Sequence, residues 1–242
     1  MGILARALTS KDDTVVKPWE LLGETRTPDG TLLSLARRDT ALVIWVGGKI
    51  LMSSRMHGSE EAMAEMALKH LRTGNGASVL VGGLGMGYTL RATLDLLPAD
   101  ATVTVAELIP AVVEWNRGPL GPLAGHPLQD TRVRVDTGDV IATLRTSVAR
   151  FDAVLLDVDN GPDAFTESSN ASIYNDRGIA SIRAALKPGG VVAVWSAWED
   201  RRFEQRLKWA GFKVEVLRVR ARLKKGGPRH TIFLGRLMGQ SA

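Results

Sequence analysis

78-SVLVGGLGMGYTLRATL-94 joins a short apolar run to glycines at 82, 83, 85 and 87, and then to a stretch with helical spacing. A chain adopts this pattern when it turns sharply out of a strand and lets another group come close to its backbone. A phosphate loop would end in Gly-Lys-Ser/Thr, which is missing. The first cation after the glycines is Arg91. The stretch therefore reads as the first strand, loop and helix of a nucleotide- or nucleoside-binding unit, or as close strand–helix packing without a ligand.

Downstream, the same rhythm repeats. Strand-like segments at 102–108, 132–139, 151–159, 191–196 and 212–221 alternate with helical segments near 87–97, 110–118, 140–148, 174–186 and 199–211. Several strands are nearly continuous runs of Val, Ile and Leu, as expected for strands buried on both faces. The predicted fold class is α/β: a doubly wound, mostly parallel, seven-stranded Rossmann-like sheet. The last strand, 229–238, follows a loop of hairpin length and is expected to be antiparallel.

Upstream, residues 1–20 read as a loosely docked arm. Residues 21–56 alternate or run apolar, with turn signals at Pro28-Asp29-Gly30 and Gly47-Gly48; they predict a small antiparallel unit of β-hairpins. A helix is expected over 59–74, with Ser59 as N-cap and acids in its first turn. The expected division is an arm and β-unit over 1–58 and a ligand-binding domain over 59–242.

Composition narrows the chemistry. The 242 residues include no cysteine, which excludes disulfides, thiolate zinc sites and cysteine nucleophiles. The four histidines, His57, His70, His126 and His230, show no metal spacing. Net charge is +5, and its densest basic segment, 217–230, reads as a solvated strand pair with a basic loop, so nucleic acid is not an expected partner. No window approaches the length of a membrane span and no apolar leader is visible; a cytoplasmic address is expected.

In a doubly wound sheet, ligands lie beyond the carboxyl ends of the strands. Three of those exits carry acids: Glu107, Asp139, and the pair Asp157 and Asp159. An acid after the second strand can accept from ribose hydroxyls, and Asp139 is placed to accept from the exocyclic amine of adenine. Acids suit a sulfonium cation better than a pyrophosphate. S-adenosylmethionine (SAM) or a relative is therefore the expected ligand.

The segments VLVGGLGMGYTLRATL, VAELIPAVVEWNR, DTGDV and LLDVDNGP resemble the spermidine synthase-like branch of the class I SAM-dependent methyltransferase fold, over roughly residues 25–235. The resemblance implies that Gly83, Gly85 and Gly87, with Met86 among them, line the methionine-like tail. It implies that Glu107 holds the ribose, that Asp139 reads the adenine, and that Asp157 or Asp159 faces the second substrate. It also implies a homodimer, since members of that family use the small β-unit in dimers. Asp157 and Asp159 are the candidate bases. Asp159, Asn160, Tyr174 and Trp195 are candidate contacts to a small-molecule acceptor, and the loop 160–176 is a candidate lid.

The departures from the pattern weigh on the reaction. Met86 stands where polyamine aminopropyltransferases carry an acid that helps hold the free amine of decarboxylated SAM. The family's Tyr-His-Glu triplet is replaced around Gly58-Ser59-Glu60-Glu61. Leu51 and Met52 stand where a Gln is usual, and the Asp-x-x-Asp-Pro gate is shortened. Loss of the acid at 86 removes a carboxylate that would repel that of ordinary SAM. The expected reaction is therefore methyl transfer from SAM. The alternatives are aminopropyl transfer from decarboxylated SAM to a polyamine, and a non-catalytic adenosyl-binding protein.

Overall fold

A computed structural model describes residues 17–69, 71, 76–158, 171–222 and 227–238, and every structural statement below concerns these. Strands β5 (Ser78–Gly82), β6 (Thr102–Glu107), β7 (Val133–Thr137), β8 (Phe151–Leu156), β9 (Leu186–Ser196), β10 (Phe212–Arg220) and β11 (Arg229–Leu237) form one sheet in the order β10-β11-β9-β8-β5-β6-β7. Parallel pairing holds from β9 through β7, and β11 runs antiparallel to both β9 and β10. The expected doubly wound sheet with an antiparallel last strand is present.

Two cores form because strand residues alternate between faces. Val79 and Val81 of β5 pack with Leu33, Leu35, Ile44, Met63 and Leu90 on one side. Leu80 joins Val154, Leu156, Ile179 and Phe203 on the other. β5 lies between β6 and β8, so the strand order reverses around it. That reversal opens the crevice in which such sheets bind ligands.

The helices are α1 (Gly58–Leu68), α2 (Tyr88–Leu96), α3 (Pro110–Arg117), α4 (Val140–Arg145), α5 (Ala171–Tyr174), α6 (Asp176–Ala185) and α7 (Arg201–Trp209). Two differ instructively from expectation. α1 ends at Leu68 rather than near 74, and His57, not Ser59, precedes its first turn without a capping side chain. Ser59 is instead wholly buried and bonded across the core. The helix read over 174–186 is broken at Asn175, whose side chain accepts from Gly178 N at 3.0 Å and starts α6 afresh. No described helix is long and apolar enough to cross a membrane.

Ahead of α1, strands β1 (Glu20–Arg26), β2 (Leu32–Arg38), β3 (Ala41–Val46) and β4 (Lys49–Ser53) form a separate antiparallel sheet in chain order. Gly47 and Gly48 both have positive φ, at 54° and 77°, the requirement of a two-residue hairpin turn whose twist matches its strands. The inner faces of β2 and β3 share the core under α1 and β5. The edge of β4 reaches the glycine loop, where a Cβ on Gly85 would meet Met52 Sδ at 2.7 Å.

Gly83 has φ +87°, and a Cβ there would stand 2.2 Å from the carbonyl oxygen of Asp157. The chain leaving β5 thus passes directly against the chain leaving β8. Gly83→Ala should cost about 3 kcal/mol or more, from backbone strain plus the clash. Gly30 has φ +86° with nothing within 4 Å of its Cβ position, so Gly30→Ala should cost only about 1 kcal/mol. Denaturant unfolding of both variants checks this; equal costs would contradict it.

Candidate active site

The crevice is built from five chain segments. The loop after β5 supplies backbone. Gly83 N donates to Ala106 O at 2.8 Å, and Gly87 N donates to Leu84 O at 2.8 Å, closing a tight turn into α2. Asn116 of α3 holds this loop from outside by donating from Nδ2 to Gly85 O at 2.8 Å. Met86 lies within the loop, but its side chain is fully buried in the core.

At the end of β6, Glu107 is buried and its carboxylate bridges two loops. Oε2 accepts from Leu84 N at 2.8 Å and Oε1 from Ile109 N at 2.9 Å. These bonds fix both oxygens beside the glycine loop, and each carboxylate oxygen can take a second donor. That geometry fits two neighbouring hydroxyls of a ribose. Asp139, at the exit of β7, is exposed and caps α4 by accepting from Ile141 N at 2.9 Å. One of its oxygens is thus used structurally.

Asp157 follows β8 and accepts from Thr89 Oγ1, in the first turn of α2, at 2.7 Å. Burial pushes its pKa up to about 6, against the opposing pull of the Thr89 hydroxyl. A carboxyl tuned toward neutrality is suited to taking a proton during turnover. Asp159 and Asn160 lie outside the described residues, as does most of the loop read as a lid.

Tyr174 and Trp195, expected to contact substrate, are both buried. Tyr174 donates from its hydroxyl to Val158 O at 3.1 Å and packs edge-on against Phe203. It braces the segment that carries Asp157. Trp195 donates from Nε1 to Ser59 Oγ at 3.0 Å and packs against His230. Among the described residues no group of acids and histidines could hold a metal ion.

One residue escaped the sequence reading. Glu60, in the first turn of α1, is only 6% exposed. Its Oε2 lies 2.6 Å from Ser59 Oγ. Its pKa is pushed up to about 8, first by burial and second by the charge of Asp157. Acids at that position ordinarily complement a helix dipole from the surface, which hid the fact that this one turns inward. The sequence signal was the doublet Glu60-Glu61: two successive helix positions cannot face the same way. Glu61 points outward enough to meet His57 Nδ1 at 2.7 Å, and His57 stacks on Tyr88 at 4.2 Å. Tyr88 is pushed up to about 12 by burial and by the charges of Glu60 and Glu61.

Glu60 and Asp157 have folded-state pKa values above their ordinary 4.5 and 3.8. The folded protein therefore holds these protons more tightly than the unfolded chain. Their contribution to stability is full below the ordinary values and is lost as pH rises toward 6 and then 8. Glu60→Gln removes the larger share. The variant should gain in unfolding midpoint over the parent, with the gain growing from roughly pH 5 to pH 9; a pH-independent difference would contradict the raised pKa of Glu60.

Comparison with known proteins places this geometry. Residues 56–207 match the model of the spermine/spermidine synthase domain. Polyamine aminopropyltransferase 1 of Streptomyces coelicolor is 33% identical over 126 residues, which is 51% of this chain and 23% of that protein. The match thus spans less than a quarter of that relative's length. A crystal structure of spermidine synthase in complex with the transition-state analogue AdoDATO has a TM-score of 0.72 at 18% identity, covering 89% of this chain and 73% of that one. Spermidine synthase from Thermotoga maritima has a TM-score of 0.69 at 17% identity, covering 89% and 72%. The family matched and the aligned relative both concern polyamine synthesis. They overturn the expectation of methyl transfer from intact SAM.

Proposed function

The chain belongs to the spermine/spermidine synthase domain family, and from that premise we propose that it transfers an aminopropyl group from decarboxylated SAM to an amine. The observation that carries this reading is the charge of the crevice. Glu60 is buried and Asp157 half-buried, the charge of Asp157 raises the pKa of Glu60, and among the described residues no lysine or arginine is seen paired with either. The carboxylate of intact SAM would enter a field of its own sign there. Decarboxylated SAM brings a sulfonium and an ammonium with no carboxylate, and an amine acceptor adds a further cation. Charge complementarity selects all of these.

In this reading Glu107 takes the ribose hydroxyls and the backbone from Gly83 to Gly87 lies along the adenosyl thioether. Asp139 offers its remaining oxygen to the adenine amine. The acceptor nitrogen, as a neutral amine, attacks the methylene carbon bound to sulfur. A C–N bond forms, the C–S bond breaks with its electrons passing to sulfur, and methylthioadenosine leaves. The proton that the new ammonium sheds passes to Asp157, whose raised pKa suits it to receive one. Most of the catalysis is alignment of nitrogen, carbon and sulfur.

The test is direct. Purified protein is incubated with decarboxylated SAM and a diamine, and the products are identified by mass spectrometry. Methylthioadenosine and the aminopropylated amine should appear together in equal amounts; a methylated amine from intact SAM would overturn the reading. Glu107→Gln should weaken binding of decarboxylated SAM about tenfold or more, by disturbing a charge-assisted bond to the ribose. Unchanged affinity in calorimetry would refute the ribose assignment.

A further inference from the structure

The basic segment 217–230 has no part in the chemistry of the crevice, and the strand register shows where its arginines stand. β9 ends at Ser196, which opposes Thr231 of β11, and Thr231 opposes Arg218 of β10. Beyond that row β10 and β11 pair with each other alone, past the carboxyl end of β9. Their next row on the same face sets Arg220 directly opposite Arg229. Side chains so placed stand about 5 Å apart at Cβ, and two like charges there destabilise the pairing. Both arginines are exposed. Phe233, on the same face of β11, packs edge-on against Phe203 of α7, so the arginines lie on the α7 side of the sheet.

Further cations converge there. Arg222, exposed, follows β10, and its stem lies along Gly227, whose Cβ position is 3.1 Å from Arg222 Cγ. Arg201, also exposed, opens α7. Arg218 meets Glu199, in the loop before α7, at 2.5 Å. The hydrogen bond from Arg218, and then the charges of Arg218 and Arg201, hold the Glu199 carboxyl below its ordinary value. The other acid of that loop, Asp200, accepts from the backbone N–H groups of Arg202 and Phe203. Among the described residues Arg201, Arg220, Arg222 and Arg229 form no ion pair. The same loop presents Trp198, 40% exposed, whose carbonyl accepts from Ser196 Oγ at 2.7 Å.

Arginines without acids, two of them in repulsive register, call for several negative charges. One small anion bridges two of them and leaves the rest. An anionic bilayer also needs apolar side chains to enter it, and among the described residues Trp198 is the one large apolar side chain exposed in this loop and hairpin end. A flexible polyanion with flat rings along it satisfies both features. Its phosphates meet guanidinium groups, and a ring stacks on the indole.

We propose that the overhanging end of the β10–β11 hairpin, with the loop before α7, is a docking surface for single-stranded nucleic acid. Arg201, Arg220, Arg222 and Arg229 take its phosphates, and Trp198 stacks on a base. This goes beyond aminopropyl transfer and does not depend on it.

Fluorescence anisotropy of the full chain with a labelled single-stranded RNA of mixed sequence tests the proposal. Four phosphate contacts give a slope of about −2.8 in log affinity against log salt, so affinity should fall about fiftyfold from about 50 to about 200 mM salt. Arg220→Ala/Arg229→Ala should halve that slope and weaken binding about tenfold or more at the lower salt. Trp198→Ala should weaken it about fivefold or more with the slope unchanged. Arg145→Ala/Arg150→Ala removes the same net charge before β8, at the opposite edge of the sheet, and should leave affinity nearly unchanged. The Arg220/Arg229 double variant relieves a like-charge pair, so its unfolding midpoint should equal or exceed the parent's, which separates lost binding from lost fold.

No binding at the lower salt, or equal losses from the two double variants, overturns the proposal. Two other results do so as well. One is binding to phosphatidylserine vesicles that needs Arg220 and Arg229 while RNA binding does not. The other is inorganic pyrophosphate bound as tightly as RNA, with Trp198→Ala silent.

Discussion

The site depends on one close approach. Where β5 ends, the chain at Gly83 passes so near the carbonyl of Asp157 that no side chain fits between them. This contact ties the exits of the two central parallel strands. It sets the glycine loop, and so the first turn of α2, against the segment that follows β8. Thr89 then reaches the carboxyl of Asp157, and Glu107 from the next strand takes the N–H of Leu84. The carboxylates that define the crevice are positioned by backbone packing and by hydrogen bonds from backbone N–H groups and Thr89.

In the proposed reading, that arrangement makes charge decide the ligand. The protein as a whole is basic, with a net charge of +5, while its crevice gathers acids. The excess of positive charge elsewhere is no guide to what binds there. What matters is the local field inside a partly desolvated space, where interactions are far stronger than at the surface. A sulfonium and an amine are favoured there, and a free carboxylate is not.

Much of the fold was legible in the sequence. Continuous apolar runs, Pro110 at a helix start and the glycines after β5 marked the parallel sheet, and the basic loop before β11 marked the antiparallel end. The acids at Glu107, Asp139 and Asp157 were visible because strand exits are fixed positions in such a sheet. The reaction was misread at Met86. Its identity removed an acid from the loop, and methyl transfer was inferred from that loss. The fold puts the side chain of Met86 in the core, and α1 contributes a buried carboxyl, Glu60, that feels the charge of Asp157. That acid comes from a helix far away in sequence, and nothing in local spacing could link the two. Ser59 was misjudged for the same reason: a serine at a helix start looks like a cap until Trp195 and His230 are known to converge on it. Trp195 was read at a strand end and Tyr174 in the loop 160–176 as substrate contacts, but their polar atoms face inward and brace other groups.

A structure of the protein with decarboxylated SAM bound is the most direct measurement of whether this acid-lined crevice exists to take a cationic amine. The account predicts the amine nitrogen in the acid-lined crevice, within about 2.7–3.0 Å of an oxygen of Asp157. It also predicts the ribose on Glu107. An adenosyl group on Glu107 whose amine points away from Asp157 into solvent would contradict it.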